Sequence, residues 1–232
     1  MRSRRLILSL MSVVGWAAGC QSMSGAELAV APRPMPLPAG AVQLPRDARF
    51  SIALAPSQRD PGLDSTAEAE SVADPAGAAR AAARISNGGS ASAEFQLGHS
   101  LANDSDQQVQ LALTLTAEYE HRVSAGAATT TPEATVELAI YVRDAQRRLI
   151  RTIPLLSSTN SAGGSRSNDR RSTSIELLLG ARQSVIVYVA GGARVETQPG
   201  RAADCSLELR SLTLDVQTTP AAAPASAPTD QP

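Results

Sequence analysis

The chain has 232 residues, 43% of them hydrophobic and only 3% aromatic, with 21 basic side chains against 22 acidic ones for a net charge of −1. That balance excludes the electrostatic footprint of a nucleic-acid-binding protein. So few aromatic rings also leave few candidates for sugar- or base-stacking platforms.

Arg2, Arg4 and Arg5 precede an apolar run from Leu6 to Ala18, and small residues then lead into Cys20. This is the charged, apolar and cleavage order of a secretory signal, with a run too short to span a bilayer comfortably. The ending Ala17-Ala18-Gly19-Cys20 resembles the lipobox of bacterial lipoproteins, with Ala17 where that family usually has Leu. The resemblance covers the signal and the first mature residues. It implies that residues 1–19 are a signal peptide, that the Cys20 thiol takes diacylglycerol, and that the new N-terminus takes a further acyl chain such as palmitate. Each buried methylene contributes about 0.8 kcal/mol, so several chains hold firmly where one does not. In the family an aspartate after the cysteine favours the inner membrane. Gln21 and Ser22 stand there, so the resemblance implies the outer membrane, with the domain facing the periplasm. Ser3-Arg4-Arg5-Leu6-Ile7-Leu8 also resembles a twin-arginine export signal, although an ordinary basic start explains the arginine pair as well. Cleavage removes three arginines and no acids, which takes the net charge from −1 to near −4.

Residues 20–45 follow as a tether, with Pro32, Pro34, Pro36 and Pro38 at every second position and Pro45 after them. Such spacing blocks helix and favours extended backbone. From residue 46 to 217 the pattern has period two. Phe50, Ile52 and Leu54 alternate with smaller residues, as do Ala93, Phe95 and Leu97. The longest run is Val109, Leu111, Leu113, Leu115, Ala117 and Tyr119, and Val136, Leu138, Ile140 and Val142 come next. Apolar stretches then fall at 149–155, 175–179, 185–189 and 207–216. Strict alternation marks half-buried antiparallel strands. Turn formers separate them, Asn103-Asp104-Ser105-Asp106 among others, and residues 93–101 and 108–120 read as a hairpin about that turn. The parity slip between Leu209 and Leu212 predicts a β-bulge at Arg210-Ser211. Seven or eight such strands without a βαβ rhythm predict an all-β fold, an antiparallel β-sandwich. The run Leu101 to Val109 also resembles, over that one hairpin, a strand–Asn–turn–strand pattern of bacterial immunoglobulin-like domains. Two insertions are expected. Residues 56–92 are rich in Ala, Ser and Gly, and Asp74-Pro75 could cap a short helix over 78–85. Residues 157–173 read as a polar, mobile loop, and 218–232 as a disordered Pro/Ala-rich tail.

Candidates for chemistry are sparse. His99 and His121 read as surface histidines at strand ends, with neither a nucleophile nor an acid placed to serve them. The Asn103–Asp106 run lacks the spaced ligands and closing glutamate of a calcium loop, so turn chemistry explains it. Cys205 shares the parity of Leu207 and Leu209 and reads as a core thiol with no disulfide partner once Cys20 is lipidated. No catalytic set, metal site or cofactor site is expected. Arg166, Arg170 and Arg171 give the 157–173 loop a positive tip. Tyr141 and Tyr188 occupy the faces opposite their strands' main apolar sets. The primary expectation is a non-catalytic lipoprotein whose sandwich binds or organises an envelope protein partner through an edge strand or end loop. The alternative is a glycan-binding module at the cell wall or cell surface, with Tyr119, Tyr141, Tyr188 and the three arginines as contacts. Tyrosines gathered on an exposed sheet face favour the glycan; scattered or buried ones favour the protein partner.

Overall fold

A computed structural model of the chain describes residues 33–45, 49–124, 133–160 and 164–221. The expected signal peptide over residues 1–19 and Cys20 lie outside the described residues, as do most of the expected tether and nearly all of the expected tail. Thirteen strands run through the described residues: β1 (Met35–Pro36), β2 (Ala41–Leu44), β3 (Ile52–Leu54), β4 (Ser57–Pro61), β5 (Thr66–Asp74), β6 (Ala78–Ser86), β7 (Gly89–Ala102), β8 (Val109–Val123), β9 (Ala134–Asp144), β10 (Leu149–Thr159), β11 (Ser165–Leu179), β12 (Ser184–Thr197) and β13 (Ala202–Pro220).

They form two sheets packed face to face. The first has the order β1-β7-β12-β9-β10, with β3 and β4 also set against β7. The second has the order β11-β8-β13-β6-β5, with β2 set against β13. Every pairing is antiparallel except β1 with β7. The protein is an antiparallel β-sandwich, and its alternating apolar residues fill the space between the sheets. Leu111, Leu113, Ala117 and Tyr119 of β8 are buried opposite Val136, Leu138, Ile140 and Val142 of β9. The register of β13 on β8 shifts between Leu209 and Ser211, where the parity slip predicts a bulge. The extra residue turns both Leu209 and Leu212 inward.

Several segments differ from the sequence expectation. Residues 56–92 are not an insertion but hold β4, β5 and β6, and the expected helix over 78–85 is strand β6. Its Ala79, Ala81, Ala83 and Ile85 are buried in alternation with Arg80 and Arg84. Asp74 and Pro75 open a tight turn instead of capping a helix: Asp74 Oδ1 accepts the Ala76 N–H at 2.9 Å, and Gly77 closes the turn at φ 107°. The polar 157–173 segment is the end of β10 and more than half of β11, whose fifteen residues all pair with β8. Cross-strand ion pairs replace apolar patterning there. Residues 93–101 and 108–120 are not a hairpin, because β7 lies in one sheet and β8 in the other. The turn between them is an arch that carries the chain across the core. The tether expectation also gives way at residues 35–44, where β1 and β2 dock on β7 and β13, and β13 runs on to Pro220.

Candidate functional site

The outer face of the first sheet carries the site. Three successive rows of outward residues are fixed by register across β7, β12, β9 and β10. The first row is Gly98, Tyr188, Tyr141 and Thr152. The second is Gln96, Ala190, Ala139 and Pro154, and the third is Glu94, Gly192, Glu137 and Ser157. Small residues in the middle of the second and third rows leave a depression between larger walls. It has a volume of about 190 Å³, bounded by Tyr141 at one end, Glu94 and Glu137 at the other, and Thr152 and Pro154 along β10. It lies below the usual range of about 300–1,000 Å³ for drug-sized ligands, so it suits a single ring-sized group.

The two tyrosines form one unit. Their rings stack with centroids 5.3 Å apart and 15° between planes, a geometry worth about 0.5–1.5 kcal/mol beyond burial. Tyr188 is 1% exposed, covered by Ile52 and Ile186 as well as by Tyr141. It sits low because its cross-strand neighbour is Gly98: a Cβ there would fall 2.2 Å from the Val187 carbonyl oxygen and 2.4 Å from the Tyr188 Cβ. Arg143 Nε donates to the Tyr188 hydroxyl at 2.8 Å, and its guanidinium lies 6.0 Å from the ring centre. Tyr188 is therefore a support, and half-buried Tyr141 is the ring that borders the depression. Burial, and then the neighbouring Tyr188, push the Tyr141 hydroxyl above its ordinary value of 10.0, so at neutral pH it is a phenol able to donate. Burial also raises the Glu94 carboxyl, against a partial lowering by Arg194.

The expected contacts divide accordingly. Tyr141 and Tyr188 come together on one sheet face, but Tyr119 points into the core, 1% exposed, with its hydroxyl donating to the Leu155 carbonyl at 3.2 Å. Arg166, Arg170 and Arg171 belong to β11 of the other sheet, and each is paired with an acid. Arg166 pairs with Glu120 at 2.6 Å, Arg170 with Glu118 at 3.3 Å and Arg171 with Asp169 at 2.8 Å. Arg210 also reaches Glu120. Glu94 and Glu137 are the residues that sequence reading missed. The only local signal was that Glu137, Ala139 and Tyr141 share a parity.

The remaining candidates are structural. His99 and His121 are buried, not surface residues, at 5% and 6% exposure. Their inward parity places them between the sheets, and burial lowers both imidazoles below the ordinary 6.5. His99 Nδ1 meets Ser51 Oγ at 2.7 Å, with no carboxylate ion-paired to it among the described residues. Asn103 organises the arch: its Nδ2 donates to the carbonyls of Gln107 and Gly180 at 2.7 and 2.8 Å, and its Oδ1 accepts from Ser105. Cys205 is buried, with its thiol pushed up to about 12 by desolvation.

No family model matches the chain, and no curated protein does. Among solved structures, the enzymatically active domain of the bacteriophage CBA120 tailspike protein 4 aligns at 11% identity and a TM-score of 0.29, covering 71% of this chain and 19% of that one. A carbohydrate-binding module of the β-sandwich superfamily aligns at 9% identity and a TM-score of 0.28, covering 75% of this chain and 59% of that one. The family 11 carbohydrate-binding module of Clostridium thermocellum, in complex with a mixed-linked tetrasaccharide, aligns at 7% and 0.21, covering 75% and 95%. Likeness at this level decides nothing about function, which rests on the groove.

Proposed function

We propose that this is a non-catalytic carbohydrate-binding lipoprotein, anchored through Cys20 at the outer membrane and facing the periplasm. The observation that carries the glycan reading is Tyr141, stacked on a buried Tyr188 and bordering an open depression with a floor of Ala139 and Ala190 and two carboxylates at its far end. An aromatic edge, an apolar floor and convergent hydrogen-bonding groups suit a polyol that has both C–H and O–H faces. Binding of the mature, detergent-solubilised protein to a glycan panel tests it by calorimetry. Tyr141→Ala should weaken the binding at least tenfold; unchanged affinity would end the reading.

A protein partner is the second reading, and one observation favours it: Leu149 and Ile150 are each more than half exposed on edge strand β10. That strand also carries Pro154 and two register shifts against β9, features that blunt strand addition. The groove is therefore preferred. For the anchor, Cys20→Ser should block lipidation and leave unprocessed precursor in the membrane, and processing to the wild-type size would refute it. Fractionation should find the wild-type protein in the outer membrane.

A further inference from the structure

We infer that the groove selects sugars carrying a free ammonium group over neutral and acidic ones. The inference rests on the carbohydrate reading and adds the chemistry of the ligand. Glu94 of β7 and Glu137 of β9 are both register partners of Gly192 of β12. Their side chains therefore leave the same face in the same row, about 9.5 Å apart at the backbone, two strand spacings. The residue between them has no side chain. A single ammonium placed over that glycine lies between two carboxylates.

Among the described residues no cation pairs across the gap. Neither carboxylate makes an ion pair among the described residues. The nearest candidate, Arg194, sits one row further along β12 and pairs with Glu196 at 3.0 Å. Both acids line the depression and are half-buried. Two carboxylates without an ion-pair partner, of which Glu94 feels Arg194 only at a distance, attract a cation more strongly in a partly desolvated groove than they would in open water. They repel a uronate, sulfate or phosphate for the same reason. The rows fix the pose. Tyr141 lies four residues from Glu137 along β9, about 13 Å at the strand rise, with Ala139 midway. A pyranose over Ala139 and Ala190 then meets the tyrosine with one edge and presents a ring amine to the carboxylates with the other.

Protonation should follow. Burial already holds Glu94 above its ordinary 4.5, and a bound ammonium favours the ionised form, so binding releases protons and strengthens as pH rises through the Glu94 range, then weakens once the sugar's own ammonium gives up its proton. The charged and titratable groups facing Glu94 are Glu137 and Tyr141 from β9 and Arg194 from β12. The wall from β10, Thr152, Pro154 and Ser157, adds none.

The test is calorimetry of the mature, detergent-solubilised protein with three probes: β-linked glucosamine oligomers, their N-acetylated counterparts and uronate oligomers. The glucosamine oligomers should bind at least tenfold tighter than the N-acetylated ones, and the uronates should not bind. Glu94→Gln and Glu137→Gln should each collapse that ratio towards one, weakening glucosamine binding far more than N-acetylated binding. Glu68→Gln, in β5 of the opposite sheet, should leave the ratio intact and so control for general charge attraction. A wild-type ratio near one, or a ratio unmoved by both groove variants, overturns the ammonium inference. In that case neutral-sugar binding lost in Tyr141→Ala still supports the carbohydrate reading. Absence of binding to every sugar, these and a wider panel, overturns both.

Discussion

Replacing the two stacked tyrosines separately should split stability from binding. Tyr188 is 1% exposed, and truncating a buried aromatic to Ala costs about 3–5 kcal/mol. At about 2–4 °C per kcal/mol for a domain of this size, Tyr188→Ala should lower the thermal midpoint by about 6–20 °C. Tyr141 is only half-buried. Its truncation forfeits the stacking increment of about 0.5–1.5 kcal/mol and part of a side chain's burial, so its midpoint should fall by less than half as much. Affinity should show the reverse emphasis. Tyr141→Ala removes the ring that borders the depression and should weaken glycan binding at least tenfold, about 1.4 kcal/mol. Tyr188→Phe keeps the stack and loses only the hydroxyl that accepts from Arg143, so binding should survive. Circular dichroism melts and calorimetry on the four proteins decide the matter. A larger midpoint loss for Tyr141→Ala than for Tyr188→Ala would falsify the assignment of support and contact.

Leu113 is fully buried between Ile175 of β11 and Val216 of β13, whereas Thr114 faces outward with its hydroxyl 3.1 Å from Ser174 Oγ. Leu113→Asp should therefore prevent folding at ordinary temperature, since a buried unpaired carboxylate consumes most of a domain's stability, while Thr114→Asp should melt within a few degrees of wild type; equal midpoints would contradict the strand parity. Burial lowers both His99 and His121, so the unfolded chain takes up protons first. Stability should be full above pH 6.5 and decline as pH falls below it, less steeply in His99→Gln/His121→Gln, which urea titration at pH 5 and 7.5 checks. The Cys205 thiol, near 12, should resist a thiol reagent at pH 8 until the protein is denatured, and rapid labelling of the folded protein would show that the sandwich opens there. Incubation with any bound glycan should release no reducing ends.

What the sequence disclosed depended on where apolar side chains had to alternate. Leu111 to Tyr119 and Val136 to Val142 lie on strands buried on one face, so their parity announced both strand and core. β6 was obscured because alanine carries little hydrophobic contrast: Ala79, Ala81 and Ala83 alternate with residues that include alanines, and Asp74-Pro75 suits a turn as well as a helix start. β11 was obscured for the opposite reason, since its first half is held by Arg166 and Arg170 against Glu120 and Glu118 instead of by a core. The arch at Asn103 shows a third limit. Turn chemistry reveals that the chain reverses, not which sheet receives it. The candidate site was half legible: the outward parity of Tyr141 and Tyr188 could be counted along each strand. That Glu94 and Glu137 share Gly192 as neighbour depends on the register of β7, β12 and β9, set by residues nearly a hundred positions apart.

The docking of β1 changes the mechanics of the proposed anchor. With Met35 and Pro36 committed to the edge of β7, residues 21–34 are all that separates a lipidated Cys20 from the sandwich. Fourteen residues span at most about 50 Å at full extension. The groove then samples a thin shell at the membrane surface, and its ligand must either be part of that shell or be carried into it.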